Sequence, residues 1–370
     1  MGLGAAYDLA RSSEVEAITV ADLYLDNAAR VAASIHSPKV SAAVVDVLDY
    51  AGVVALMSDH DAAISCVVYK HNLLLARAAI EAGINFCDLG GNNKVVEAEL
   101  ALDEQARRAG INIIPDCGLA PGMVSILAAH GAARFDSLEY IQIRVGGLPQ
   151  QPIGPLKYQI VFSVEGLINE YVEPARVIRA GRITEVESMT DLELLEFPPF
   201  GTMEAFQTSG GASSLPESFL GRVRDLDYKT IRYPGHCEQF RLLIELGLTS
   251  NEPLLIANQA IAPRSMLAEL LLRRLPTEGP DVVLVQVQFR GIAAGRHQTL
   301  TYRLIDYYDE ENHLSAMTRA TAFPASIIAQ MMCRGDVGEK GAIPQEKCVP
   351  PDLFIAALAD RGMRLSEQQS

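Results

Sequence analysis

The sequence has no C-x-x-C and no other paired cysteine spacing; its six cysteines, Cys66, Cys87, Cys117, Cys237, Cys333 and Cys348, are scattered along the chain. That absence argues against a disulfide framework and against zinc. It reads as small core residues in a protein of a reducing cytoplasm. No run of about 18 apolar residues is free of charge, so no membrane span is expected. The N-terminus has neither a basic stretch nor an apolar one, so no secretion signal is expected. No block of lysines or arginines occurs, and 31 basic against 46 acidic residues give a net charge of −15. Nucleic acid and anionic membrane are therefore poor partners. With 49% apolar and 21% charged residues, the chain reads as an ordinary globular protein, and 370 residues accommodate two domains.

What is present changes along the chain. In the first part, short β-rich runs (17–20, 43–47, 63–68, 85–87 and 112–115) alternate with helical periodicity. Leu73, Leu74, Ala76, Ala79 and Ile80 predict a helix over Asn72 to Ala82, and a second helix is expected over Val95 to Ala109, stopped by Gly110. Nearly all-apolar strands separated by helices predict a doubly wound α/β fold with a parallel sheet. Beyond about residue 135, alternating strands such as 140–145 and 282–289 predict a second, α+β domain with few helices before Ser265 to Leu275. The last segment returns to helix at Phe323 to Met332 and Asp352 to Arg361. The expected division is 1–125, a dinucleotide-binding domain; 126–322, a substrate-binding and dimerisation domain; and 323–370, a helical segment returning to the first domain.

A doubly wound sheet binds its ligand outside the carboxyl ends of its strands. Asp22 is expected at such an end. In dinucleotide folds an acidic residue there, about 20 residues beyond a glycine turn, accepts from the adenosine ribose hydroxyls and disfavours a 2′-phosphate. Gly2 stands at that distance, so NAD is expected in preference to NADP. The run Gly2-Leu3-Gly4-Ala5-Ala6 looks like the end of a G-x-G-x-x-G turn entering its helix. The strand and two earlier glycines that the fingerprint needs are expected about 10 to 15 residues upstream of Met1. Without them the sheet lacks its central strand.

Five segments, 88–92, 115–123, 158–171, 228–236 and 316–324, together resemble the saccharopine dehydrogenase superfamily and, within it, the lysine 6-dehydrogenase-like branch. Gly118-Leu119-Ala120-Pro121-Gly122 and Arg232-Tyr233-Pro234-Gly235-His236 are the more specific pair. The resemblance implies an NAD(P)-dependent amino-acid oxidoreductase, a homodimer with a small-molecule substrate. It also implies that Val67, Val68 and Tyr69 lie along the nicotinamide half of the cofactor and Asp46 near the adenine.

Oxidising a primary amine needs the neutral amine, whose pKa in lysine is about 10.4, and a cation for the substrate carboxylate. Arg232 is the candidate for the carboxylate, or else a surface arginine. His236 is a base near neutral pH or a capping histidine. Lys157 with Tyr158 is a desolvated catalytic pair, or a solvated strand edge. Glu165, set in the apolar run 162–167, either pairs or takes part in catalysis. Asp88 is a ligand for the substrate ammonium or a helix N-cap, and Gly118 and Leu119 offer backbone N–H groups to the substrate or form a plain turn. No metal is expected. The sequence reading is NAD-dependent oxidation of an amino acid at a carbon–nitrogen bond, foremost L-lysine at its ε-amine. Saccharopine- or carboxynorspermidine-type oxidation of a secondary amine is the alternative, and a non-catalytic nucleotide-binding dimer is the reading from another class.

Overall fold

A computed structural model describes residues 1–370. The chain begins α1 (Gly2–Arg11), β1 (Ile18–Asp22), α2 (Leu25–Ile35), β2 (Val40–Val44), α3 (Tyr50–Met57), β3 (Ala62–Ser65), α4 (Asn72–Ala82), β4 (Asn85–Asp88), α5 (Asn93–Leu100), α6 (Asp103–Ala109), β5 (Asn112–Ile114) and α7 (Met123–Ala132). It continues β6 (Ser137–Pro149), α8 (Val164–Val172), β7 (Ala175–Arg179), β8 (Arg182–Val186), β9 (Glu193–Glu196), β10 (Thr202–Gln207), α9 (Leu215–Phe219), β11 (Val223–Arg232), α10 (His236–Glu245), β12 (Leu254–Ile256), β13 (Gln259–Ile261), α11 (Pro263–Arg274), β14 (Asp281–Ala293) and β15 (Arg296–Tyr307). It ends α12 (Ala316–Arg334), β16 (Gly341–Ala342), α13 (Gln345–Cys348), α14 (Pro351–Asp360) and β17 (Ser366–Gln369). Two compact units divide it: residues 1–130 with 318–363, and 131–317 with 364–370.

The first unit is α/β with parallel strands. Its sheet is in two parts, β1 with β2 and, separately, the order β16-β5-β4-β3. β1 and β3 each keep one edge without a partner strand, and Thr19 to Asp22 and Ala62 to Ile64 are only half-buried along them. Local chemistry explains the helix ends. α4 stops at Gly83 in the left-handed region (φ 75°), and the Asn92 side chain caps α5 by accepting from the N–H groups of Lys94 and Val95.

Three sequence expectations shift here. The helix expected over Val95 to Ala109 is two, because Leu102 turns into the core and Asp103 opens α6 while accepting from the Ala342 N–H at 3.0 Å. The strand expected at 43–47 lies at 40–44, in register with Ile18 to Asp22, so Asp46 falls beyond it. β3 ends at Ser65, which leaves Val67 and Val68 in the following loop and Tyr69 in a one-turn helix, Tyr69–His71. Gly4 lets α1 lie against α12: a Cβ there would meet Thr318 Cγ2 at 2.5 Å and Ala322 Cβ at 3.0 Å.

The second unit holds a mixed sheet of order β17-β15-β14-β6-β11-β10-β9, with the β7–β8 hairpin branching from β11. β6 and β11 are parallel and the other pairs antiparallel. Three helices, α8, the short α9 and α10, stand where mostly strands and loops were expected. Val164, Leu167, Ile168 and Tyr171 recur at helical spacing on α8 and are all buried. They pack with Phe206, Phe240, Leu267 and Leu271 in one core, each large side chain contributing roughly 1.5 to 3 kcal/mol on burial. Arg144, almost wholly buried, pairs with Asp227 and Glu193, and Lys229 also pairs with Glu193. Two cations thus face two carboxylates, so no charge in the network is left uncompensated.

Candidate functional site

In the first unit the βα loops at the carboxyl ends of β1, β2 and β3 expose Leu23, Tyr24, Leu25, Leu48, Val67 and Val68. Exposed apolar side chains gathered at this edge of a parallel sheet suit the flat faces of a dinucleotide. Asp22 closes β1, and its Oδ1 accepts from Tyr24 N at 2.9 Å and Asn27 Nδ2 at 3.2 Å. Its other oxygen is unengaged and no cation pairs with it. Gly2 opens α1 beside Cys66, its would-be Cβ 3.7 Å from Cys66 Cβ, so the first turn of α1 stands at the end of β3. These features fit a bound dinucleotide: Asp22 for the ribose, the exposed loops for the rings, the α1 turn for phosphate. Asp46 serves its own turn by accepting from Leu48 N at 2.9 Å. The Tyr69 ring packs on Gly91.

Asp88 is fully buried, a correction to both of its expected roles, because Asn92 rather than Asp88 caps α5. Its Oδ1 accepts from Gly90 N at 2.6 Å and Asp116 N at 3.2 Å. Gly90 has φ 75°, and a Cβ there would lie 1.9 Å from Asp116 Oδ1. Glu99, missed by the sequence reading, turns from α5 into the same interior, where both of its oxygens and Asp88 Oδ2 meet no donor. Burial, followed by the Asp88 charge, pushes the Glu99 carboxyl up to about 10, and burial raises Asp88 as well. Glu99 therefore keeps its proton at neutral pH. The carbonyls of Gly118 and Leu119 accept from Met123 N and Val124 N, and Leu119 is buried, as a plain turn at the head of α7 would have it; this leaves the reading of their N–H groups open. The loop caps α7.

In the second unit, β11 delivers Arg232 to a cluster of rings. Arg232 Nε donates to Tyr171 Oη at 2.8 Å, and Nη1 to the Ile231 carbonyl at 2.9 Å. The guanidinium carbon lies 4.9 Å from the Tyr158 ring centroid and 5.8 Å from that of Tyr171. His236 Nδ1 donates to the Leu156 carbonyl at 2.8 Å. Its Nε2 is therefore an acceptor and takes the Tyr171 hydroxyl proton at 3.0 Å. Burial, reinforced by Arg232, holds the imidazole down at about 3. His236 is thus neutral and fully engaged, a positioning group and not the expected base.

The other expected catalytic residues separate. Lys157 is not desolvated: it is half-buried, and Nζ donates to the Pro234 carbonyl at 3.0 Å, tying its loop to the Arg232–His236 turn. Glu165 stands in the first turn of α8 with its side chain 59% exposed and pairs with Arg264 at 2.8 Å. The apolar run around it is the buried face of a helix, and Glu165 lies on the other face. Tyr158 remains, its ring buried and its hydroxyl pushed up to about 12 by burial, so at neutral pH it is a donor. Lys229, the third cation of these loops, is held by the Asp191 carbonyl at 2.6 Å and Glu193 at 2.9 Å. Lys157 and Lys229 each have protein acceptors for their ammonium groups, whereas the Nη2 of Arg232 meets none. Glu170 on α8, also missed, is half-buried. The helical spacing of Val164, Leu167, Ile168 and Tyr171 was the available signal for α8. Nothing in the sequence marks Glu99, because an acid on a helix ordinarily faces water.

Residues 1–114 match the family model described as the saccharopine dehydrogenase NADP binding domain, and residues 118–363 match the saccharopine dehydrogenase C-terminal domain. A carboxyaminopropylagmatine dehydrogenase of Synechocystis is 23% identical over 90% of this chain and 86% of its own length. A saccharopine dehydrogenase [NADP(+), L-glutamate-forming] of Pyricularia oryzae is 26% identical over 66% of this chain and 55% of its own length. A carboxynorspermidine synthase of Vibrio cholerae is 22% identical over 76% and 68%. The solved structure of apo saccharopine dehydrogenase (L-Glu forming) from Saccharomyces cerevisiae superposes with a TM-score of 0.82 at 19% identity, covering 100% of this chain and 98% of that one.

Proposed function

Because the chain belongs to the saccharopine dehydrogenase family, we propose that this oxidoreductase uses NAD to oxidise L-lysine at its ε-amine. Loss of hydride from the ε-carbon leaves an iminium, water releases ammonia and the semialdehyde, and the semialdehyde closes to a cyclic imine. The nicotinamide, when bound, accepts the hydride. The observation that carries the substrate reading is Arg232, whose Nη2 meets no acceptor and whose guanidinium carbon lies 4.9 Å from the Tyr158 ring centroid. One carboxylate can be held by that guanidinium, with Tyr158 as an added donor. Saccharopine, with three carboxylates, calls for more cations than this cluster offers. The Arg232–Tyr171–His236 chain orients the guanidinium and spends no proton at neutral pH.

NAD rather than NADP is supported by Asp22, whose unpaired carboxylate would repel a 2′-phosphate. Six free cysteines support a reducing cytoplasm. Exposed Leu242 on α10, Leu246 just beyond it, and Met266 and Leu270 on α11 support a homodimer, which sedimentation velocity tests. No helix is long and apolar enough to cross a membrane.

The second reading, oxidation of a secondary amine, is favoured by the names of the relatives. The test offers the purified protein NAD or NADP with L-lysine, saccharopine and carboxynorspermidine and follows absorbance of the reduced nucleotide. Reduction with lysine alone is expected. Turnover of saccharopine and not lysine overturns the substrate reading, and nucleotide binding without turnover of any amine puts the non-catalytic reading first.

A further inference from the structure

We propose that Glu204 is a positioning residue for Arg232: without touching the substrate, it sets how firmly the guanidinium is aimed at a carboxylate. The proposal rests on the reading of Arg232 given above and deepens it. Glu204 on β10 stands directly opposite Arg232 on β11 in the antiparallel register, so the two side chains leave the same face of the sheet as close neighbours. Both are buried, and an acid and a base so placed ordinarily pair. These two do not. Glu204 Oε2 accepts from Gly235 N at 2.9 Å and Oε1 from Cys237 N at 2.6 Å, while Arg232 turns to Tyr171 and to the Ile231 carbonyl.

The engagement of Glu204 has a local cause. α10 opens at Gly235, which lies in the left-handed region at φ 96° and has no side chain to cap the first turn. Glu204, 31 residues earlier, supplies the cap from the neighbouring strand and sets a carboxylate at the helix end that favours negative charge. The two N–H groups that it holds flank His236. With Nδ1 also on the Leu156 carbonyl at 2.8 Å, His236 is fixed at both backbone and ring. Its Nε2 holds the Tyr171 hydroxyl at 3.0 Å, and Tyr171 Oη holds Arg232 Nε at 2.8 Å. Phe206, next along the same face of β10, stacks on the imidazole with ring centroids 6.4 Å apart. A line of hydrogen bonds thus runs from Glu204 through α10 and α8 to the guanidinium. Both Glu204 oxygens are taken and the residue is 3% exposed, so it fixes geometry and does not meet the ligand. The cap also keeps the carboxylate off the guanidinium, whose charge stays available to a substrate anion.

The test is calorimetric titration of the full chain with L-lysine and, separately, with NAD, for the wild type, Glu204→Gln, Tyr171→Phe, the double variant and Arg232→Gln. Glu204→Gln keeps the shape but offers one acceptor where two are needed. Its lysine affinity should fall about tenfold, the value of one lost hydrogen bond, while its NAD affinity stays within about twofold. In steady-state kinetics the loss should appear in the KM for the amino acid and not in kcat. Because Glu204 acts through Tyr171, adding Glu204→Gln to Tyr171→Phe should cost less than about twofold more, whereas a residue that only stabilises the fold would multiply the two losses. Glu204→Asp keeps the charge at the head of α10, should lose less than Glu204→Gln, and replaces it in the cycle if that variant melts too low to assay. An unchanged lysine affinity in Glu204→Gln, multiplied losses in the double variant, or equal losses for lysine and NAD overturn the positioning role. If Arg232→Gln weakens lysine binding and Glu204→Gln does not, the carboxylate reading of Arg232 stands and the positioning alone falls; if Arg232→Gln binds lysine as the wild type does, both fall. Should the wild type turn over saccharopine in place of lysine, saccharopine takes its place in the same cycle with the same outcomes, and binding of neither amine overturns both.

Discussion

The Tyr171 hydroxyl accepts from Arg232 Nε at 2.8 Å and gives its only proton to His236 Nε2 at 3.0 Å. Each of the three groups is buried, so each depends on the others for satisfaction. Tyr171→Phe removes one acceptor and one donor together. An unsatisfied buried polar group costs about 1 to 3 kcal/mol, so a loss of about 3 kcal/mol in urea unfolding is expected. The amino-acid KM should rise as the guanidinium loses its orientation. A variant as stable as the wild type would show that the relay does not hold the cluster.

Nucleotide preference is expected to turn on Asp22. Replacing it by Ser removes the charge that opposes a 2′-phosphate and keeps a short acceptor for the loop N–H groups. The ratio of kcat/KM for NADP to that for NAD should rise by about tenfold, equivalent to about 1.4 kcal/mol. Steady-state kinetics with both nucleotides measure it, and an unmoved ratio would relocate the discrimination elsewhere.

The Glu99–Asp88 pair predicts a pH dependence of stability. A carboxyl at about 10 in the folded state and about 4.3 when unfolded keeps its proton on folding. Its contribution is therefore complete below the unfolded value and declines as pH rises toward the folded one. Melting temperature should fall between pH 5 and pH 9 in the wild type. Glu99→Gln, which retains a donor toward Asp88 but cannot ionise, should flatten that slope; a slope of equal size in both proteins would place its origin in other groups.

Gly4→Ala puts a methyl group 2.5 Å from Thr318 Cγ2 and 3.0 Å from Ala322 Cβ. Overpacking of this kind costs about 1 to 3 kcal/mol, more than the gain in helix propensity from replacing glycine. A lower melting temperature is expected, and an increase would mean that α1 and α12 separate freely.

The sequence by itself determined the α/β class of the first unit, its helix over 72–82, the strand-rich second unit and the candidacy of Arg232 and Tyr158. All of these follow from periodicity or from residue type within one segment. What it misplaced were consequences of burial and of partners far away along the chain. Lys157 seemed desolvated until Pro234, 77 residues on, took its ammonium. Glu165 seemed trapped in an apolar run until α8 turned it outward to Arg264. His236 read as a base because a histidine's ordinary pKa is near neutrality, and only its enclosure by Leu156, Tyr171 and Arg232 makes it a fixed neutral acceptor. Glu99 and Glu170 carry no local mark at all: whether an acid on a helix meets water or a buried partner is decided by the face it presents, and tertiary packing alone chooses what lies against that face.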